Sequence, residues 1–200
     1  MRPTEAGAVL AGHARHVLRR LSAAEADLAD LVELLENGAV GIALLWDYAW
    51  NRADVPDISL TPLLDDPTVL VAAGHRLARK RFTTMSELAE EDWIVRTHDH
   101  PVAEVLERSC RAAGFTLKIA FEANDYQEAL AMVSVGLGVA LAPRTAVRNP
   151  IPDVRVLALG TDVPARRVLL AHRQDRLRAP AELVMHQLLV DVAREYQTKA

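Results

Sequence analysis

Residues 122–143 read EANDYQEALAMVSVGLGVALAP. Just before them, Leu117, Ile119 and Phe121 alternate with polar or small residues, as a half-buried strand does. Asn124 or Asp125 then offers a short side-chain oxygen to the free amides of a helix's first turn. Ala129, Leu130, Met132 and Val133 give that helix one apolar face. Gly136 stands where a left-handed residue ends it. Residues 138–142 are an unbroken apolar run, the mark of a strand covered on both faces. Pro143 cannot donate to a ladder and stops the strand. The spacing predicts one strand–helix–strand unit of a parallel sheet. Such sheets bind ligands beyond the carboxyl ends of their strands, so Asn124, Asp125 and Tyr126 are expected at a binding rim.

The same alternation continues on both sides. Residues 40–46, 58–64, 68–73, 93–96, 154–159 and 168–171 read as strands, with turn chemistry at Asp65-Asp66-Pro67. A short helix is expected at 86–90. Pro101 opens a longer one, whose inner face is Val102, Val105, Leu106, Cys110 and Ala113 and whose end is Gly114. Residues 144–148 form one helical turn. Residues 179–197 make a terminal amphipathic helix, with Leu183, Leu188, Leu189, Val192 and Tyr196 facing inward. Strands alternating with helices make the class α/β.

Composition narrows the function. The chain has 200 residues, half hydrophobic and a quarter charged, which is ordinary for a globular protein. Aromatics are 4%, so the core is aliphatic. A net charge of −4 gives no global pull toward nucleic acid or an anionic membrane. The single cysteine, Cys110, excludes an internal disulfide and a Cys-cluster metal site. No run is long enough to span a membrane, and Met1 is followed by polar residues, so the expected compartment is the cytoplasm.

The first 36 residues carry the most regular pattern. Leu10, Ala14, Val17, Leu21, Ala24, Leu28, Leu31 and Leu35 follow a strict 4-3 spacing, which is a heptad seam. Thr4 is a suitable cap and Asn37-Gly38 a suitable stop. One helix over 4–36 would be about 50 Å long at about 1.5 Å per residue. It reads as a dimerising helix; the alternative is a long surface helix covering its own domain. Arg15, Arg19 and Arg20 give it a basic outer face, which solvation explains as well as nearby DNA does.

Further site candidates lie at strand ends. Thr97, His98, Asp99 and His100 sit between a strand and a helix start, where free amides favour anions. With Asn124, Asp125 and Tyr126 they form one wall of an expected effector cleft, or serve only as caps and turns. Trp46 and Asp47, at the end of another strand, face the same cleft or form a lid over core. His98-x-His100 with Asp99 has metal-ligand chemistry but lacks further ligands at suitable spacing. Cys110 falls on an inward helix face, Ser134 is not in a nucleophile elbow, and Gly136-x-Gly138 lacks the third glycine of a dinucleotide site. No acid/base pair stands out and no motif requires a cofactor or metal, so an enzyme is not expected.

Several stretches resemble one family, the LysR-type transcriptional regulators. RPTEAGAVLAGHARHVL (2–18) resembles the end of their winged-helix domain and their linker helix. LLENGAVGIALL (34–45) resembles the helix-turn-strand of the first effector-binding half, and LTPLLDDPTVLVAAGHRLA (60–78) the crossover strands. LAEEDWIV (88–95), CRAAGF (110–115) and VSVGLGVALAP (133–143) resemble the second half. The pieces occur in the family's order across nearly the whole chain. Departures are the missing helix-turn-helix, a missing opening strand–helix–strand of the first lobe, Gly41 where Asp is common and Arg76 where Pro is common.

The resemblance implies a periplasmic-binding-protein-like fold: two α/β lobes joined by crossing strands, with a small molecule between them. On that reading residues 1–36 are a linker and dimerisation helix, and 37–200 are the effector-binding domain. The second lobe, about 69–148, is complete; the first is partial, from about 32–68 plus 149–200. The implied function is transcription regulation by a small-molecule effector, as a homodimer or a heterodimer with LysR-type relatives. DNA is then reached only through a partner carrying the helix-turn-helix, since residues 1–7 are too short to enter a groove. The alternatives are an interaction protein that pairs with full-length relatives without binding ligand or DNA, and a solute-binding protein of the same fold.

Overall fold

The computed structural model describes residues 28–73, 77, 80–96, 101–148 and 152–198. The elements in chain order are α1 (Leu28–Glu36), β1 (Ala43–Asp47), β2 (Ile58–Asp66), β3 (Thr68–Ala73), a 3₁₀ turn (Met85–Leu88), β4 (Trp93–Arg96), α2 (Pro101–Ala112), β5 (Ile119–Ala123), α3 (Tyr126–Ser134), β6 (Ala140–Pro143), a 3₁₀ turn (Arg144–Val147), β7 (Val154–Ala158), β8 (Arg166–Arg173) and α4 (Pro180–Thr198). They fall into two compact units. One takes Met1–Asp66 and Arg166–Ala200, the other Pro67–Ala165.

In the first unit β8 lies between β1 and β2, antiparallel to both. Its own sequence, RRVLLAHR, is apolar through the middle because both neighbours and both faces cover it; Val168–Ala171 are all buried. One face meets α4 through Leu189 and Ala193, against Leu63, Leu64, Val168 and Leu170. The other meets α1 through Leu35, against Ala43, Leu45, Ile58, Leu169 and Ala171. α1 ends in a turn, with Asn37 Oδ1 accepting from the Ala39 amide at 2.9 Å.

In the second unit β3 lies between β6 and β7, antiparallel to both, and β4 pairs with β5 in parallel. A parallel bridge between Trp93 and Val139 joins the two ladders. It depends on Gly138: a Cβ there would lie 2.5 Å from the Asp92 carbonyl oxygen, so only glycine lets the chains approach this closely. α3 packs on Val71, Ile94, Ala123 and Ala140 through Ala129, Leu130 and Val133. Gly136, at φ 80°, turns the chain out of α3 into β6.

Three expectations are corrected and one holds. The strand–helix–strand unit is parallel: β5 and the strand after α3 both run parallel to β4, which lies between them, and only beyond it does β6 meet β3 antiparallel. β5 is not half-buried: four of its five residues are exposed, because it is the outer strand of its ladder. β7 belongs to the second unit, not the first, because its ladder partner is β3; the chain re-enters the first unit at Arg166 rather than near residue 149. In α4, Leu183 is 46% exposed, since it lies a turn and a half before the contact made by Leu189 and Ala193.

Candidate functional site

The carboxyl end of β4 and the start of α3 converge in the second unit. Arg96, the last residue of β4, places its guanidinium over the Tyr126 ring at 5.0 Å from the centroid. Tyr126 is buried at 2% exposure, so it is a packing residue beneath the rim and not an exposed contact. Asp125 is the N-cap of α3: its Oδ1 accepts from the Glu128 amide at 2.8 Å. Glu128 reaches back, and its Oε2 accepts from the Asn124 amide at 2.7 Å and from Asn124 Nδ2 at 2.9 Å. Asn124 and Asp125 are exposed and pre-ordered by this exchange. Thr97, His98, Asp99 and His100 follow Arg96 directly and lie outside the described residues.

The two first-unit candidates are occupied by structure. Asp47 is 3% exposed. Its carboxylate accepts from Arg167 Nε and Nη2 at 3.0 and 2.6 Å, from Arg52 Nη1 at 3.0 Å and from the Ala53 amide at 2.9 Å. Burial pushes this carboxyl up, but the hydrogen bonds from Arg167, Ala53 and Arg52 outweigh burial and hold it below its ordinary range. Asp47 thus ties β1 to β8 and to the loop after β1, and has no lone pair aimed at a ligand. Trp46 is half-buried, with the Arg166 guanidinium 5.6 Å from its ring centroid. Arg166 itself is buried and bonds Asp66 Oδ2 at 3.0 Å.

Of the seam residues, Leu10, Ala14, Val17, Leu21 and Ala24 lie outside the described residues, and nothing is described of the Leu28 side chain. Leu31 and Leu35 pack into their own unit's core, Leu35 at 0% exposure. Cys110 is buried, and burial pushes its thiol up to about 12, the reverse of what a reactive thiolate needs. Among the described residues no group of three or more His, Cys, Asp or Glu is placed to hold a metal ion. No described helix is long and apolar enough to cross a membrane.

Sequence reasoning missed Arg96, Arg166 and Arg167. The last two open β8 as a doublet, and their carboxylate partners lie 100 and 120 residues away in the chain. No local pattern announces such pairs.

Two α/β units whose first is completed by the returning chain form a ligand-binding domain of the two-lobed type. The chain belongs to the LysR substrate binding domain family, whose model matches residues 8–194. That match begins inside the segment read as a linker helix. The GltC transcriptional dual regulator of Bacillus subtilis is 25% identical over 63% of this chain and 41% of its own length. The CatR transcriptional regulator of Pseudomonas putida is 28% identical over 72% of this chain and 49% of its own. The chain therefore spans about half the length of the curated relatives it matches. The reduced OxyR structure from N. meningitidis superposes with a TM-score of 0.69 at 23% identity, over 92% of this chain and 89% of that one. The effector binding domain of QuiR in complex with shikimate gives 0.66 at 19% identity, over 85% and 79%. At these identities the likeness is one of fold: the periplasmic-binding-protein-like fold of LysR effector-binding domains.

Proposed function

We propose that this chain is the effector-sensing part of a LysR-type transcriptional regulator, taking a small organic acid as its signal. The observation that carries the reading is the family match across residues 8–194, in a chain whose strands and helices follow the same fold. QuiR, of that fold, is seen with shikimate, which makes a hydroxylated cyclic carboxylate the first class to try. The contacts in the second unit are assigned to Thr97–His100 and to Asn124 and Asp125. The Arg96–Tyr126 stack supports that assignment, since it brings the chain entering 97–100 against the start of α3.

The test is a thermal-shift screen of the 200-residue chain against small organic acids and aromatic metabolites, shikimate included. A ligand at about 100 times its Kd stabilises by about 2.7 kcal/mol, which is a rise of roughly 5–10 °C for a chain of this size. Thr97→Ala and Asp125→Ala should each weaken the hit several-fold by calorimetry, beyond any change in the apo melting point. Saturable binding unaltered by both substitutions sinks the contact assignment. No saturable binding by any acid sinks the sensing role.

A further inference from the structure

Asn124 follows directly on Ala123, the last residue of β5, at the carboxyl end of the parallel β4–β5 pair, where such sheets hold their ligands. Its side chain is exposed, yet its orientation is fixed. Glu128 Oε2 accepts from the Asn124 backbone amide at 2.7 Å and from Asn124 Nδ2 at 2.9 Å. A carboxylate only accepts, so the end of the Asn124 amide turned toward it is the nitrogen and not the oxygen. Asn124 Oδ1 therefore points away from Glu128, and among the described residues nothing donates to it. Asp125 presents the same chemistry. Its Oδ1 accepts from the Glu128 amide, and its Oδ2 has no donor among the described residues. The first-turn amides of α3 do not draw an outside anion, because Asp125 already caps them. This rim thus offers hydrogen-bond acceptors beside two carboxylates, which repel an acid group and take a hydroxyl.

We propose that Asn124 Oδ1 reads a hydroxyl group of the effector, and that Glu128 is the positioning residue that holds the oxygen outward for that contact. On the sensing role proposed above, on which this rests, the ligand is then an acid that also carries a ring hydroxyl. Its hydroxyl end lies at the start of α3, and its carboxylate is met elsewhere in the site. An acid of the same shape without the hydroxyl leaves Asn124 Oδ1 with no donor once water is displaced, and binds less tightly.

The test measures Kd on the full chain by calorimetry for two matched pairs of acids: shikimate with cyclohex-1-ene-1-carboxylate, and 3,4-dihydroxybenzoate with benzoate. In whichever pair binds, the hydroxylated member should bind about tenfold tighter or better. Asn124→Ala should bring that ratio to within about twofold and leave the Kd of the unhydroxylated acid unchanged. Glu128→Ala frees the amide to turn and should lower the ratio as far. Glu128→Gln, whose Oε1 still accepts both N–H groups, should keep it. A merely structural role for Glu128 would weaken both members alike and leave the ratio where it was. Circular dichroism checks that each variant is folded. Binding of both members with no preference for the hydroxylated one overturns the hydroxyl contact and leaves the sensing role standing. A preference that survives Asn124→Ala or Glu128→Ala overturns the contact as well. No saturable binding by any of the four acids sinks the sensing of this class, and the contact with it.

Discussion

Asp66 and Arg166 face each other where β2 leaves the first unit and β8 returns to it, and neither side chain is more than 2% exposed. A charge this deep is tolerable only with its partner. Asp66→Asn alone, or Arg166→Met alone, should cost about 3–5 kcal/mol in urea unfolding, because each strands the other group. Asp66→Leu with Arg166→Met should cost much less than the two single losses together, and a strictly additive double variant contradicts this account. His172 and His186 make a second, half-buried polar contact, with ring centroids 5.7 Å apart. Arg178 Nη1 lies 2.7 Å from His186 Nδ1. A guanidinium only donates, so His186 accepts there and is neutral. Burial lowers both histidines, and Arg178 lowers both further; His186 also lowers His172, and Glu182 opposes this in part. The unfolded chain therefore binds protons more readily than the folded one. Stability from this pair is complete above the ordinary histidine value of 6.5 and is lost as pH falls through and below it. Asp47, also lowered, acts in a separate window, below 3.8. His186→Gln should flatten the fall in melting temperature between neutral pH and mild acid and leave the lower window intact.

At the scale of elements, α3 is held at its start by a reciprocal cap. Asp125→Ala removes the acceptor for the Glu128 amide and should cost about 1 kcal/mol, with Asp125→Ser recovering most of it. Equal stability of all three proteins in urea would show that the cap contributes nothing. The cap was legible in sequence, because its partners lie within four residues of one another. So were β3 and β4, found at 68–73 and 93–96 to the residue, since an unbroken apolar run bounded by turn residues admits little else. The parallel run of β5 and the strand after α3, with β4 between them, was legible too. The far side was not: nothing in GVALAP says that its other ladder neighbour is β3, running the opposite way. Nor does the alternation of Leu117, Ile119 and Phe121 reveal that β5 is a ladder edge, where both faces meet water. The site divides along the same line. Asp125 is local and was found with its role as a cap; Asp47 was found as a candidate and turned out to be consumed by Arg167, a residue 120 positions on.

At the scale of the whole chain, the division into units follows ladders rather than sequence order. β7 goes with β3 although residues 149–200 read as one returning stretch, because a strand belongs where its hydrogen bonds are. The heptad seam poses the corresponding question for residues 1–36. Its last two positions, Leu31 and Leu35, are used within the chain's own first unit. A seam that turned inward along its full length would be a cover for that unit and would leave the chain unpaired there. A seam that turns inward only at its end leaves Leu10 to Leu28 for a second helix, and this is the expected case, since about three heptads of apolar 4-3 spacing exceed what one small unit can cover. Leu21→Glu with Leu28→Glu puts two unpaired charges into such a seam, each costly to bury. Sedimentation should then show loss of the helix-mediated dimer, with far-ultraviolet dichroism and the unfolding of the two units little changed. Leu35→Glu, at a position with 0% exposure, should instead unfold the first unit outright. A dimer that persists in the double variant at low concentration places the helix interface elsewhere and turns the seam into a cover for its own domain.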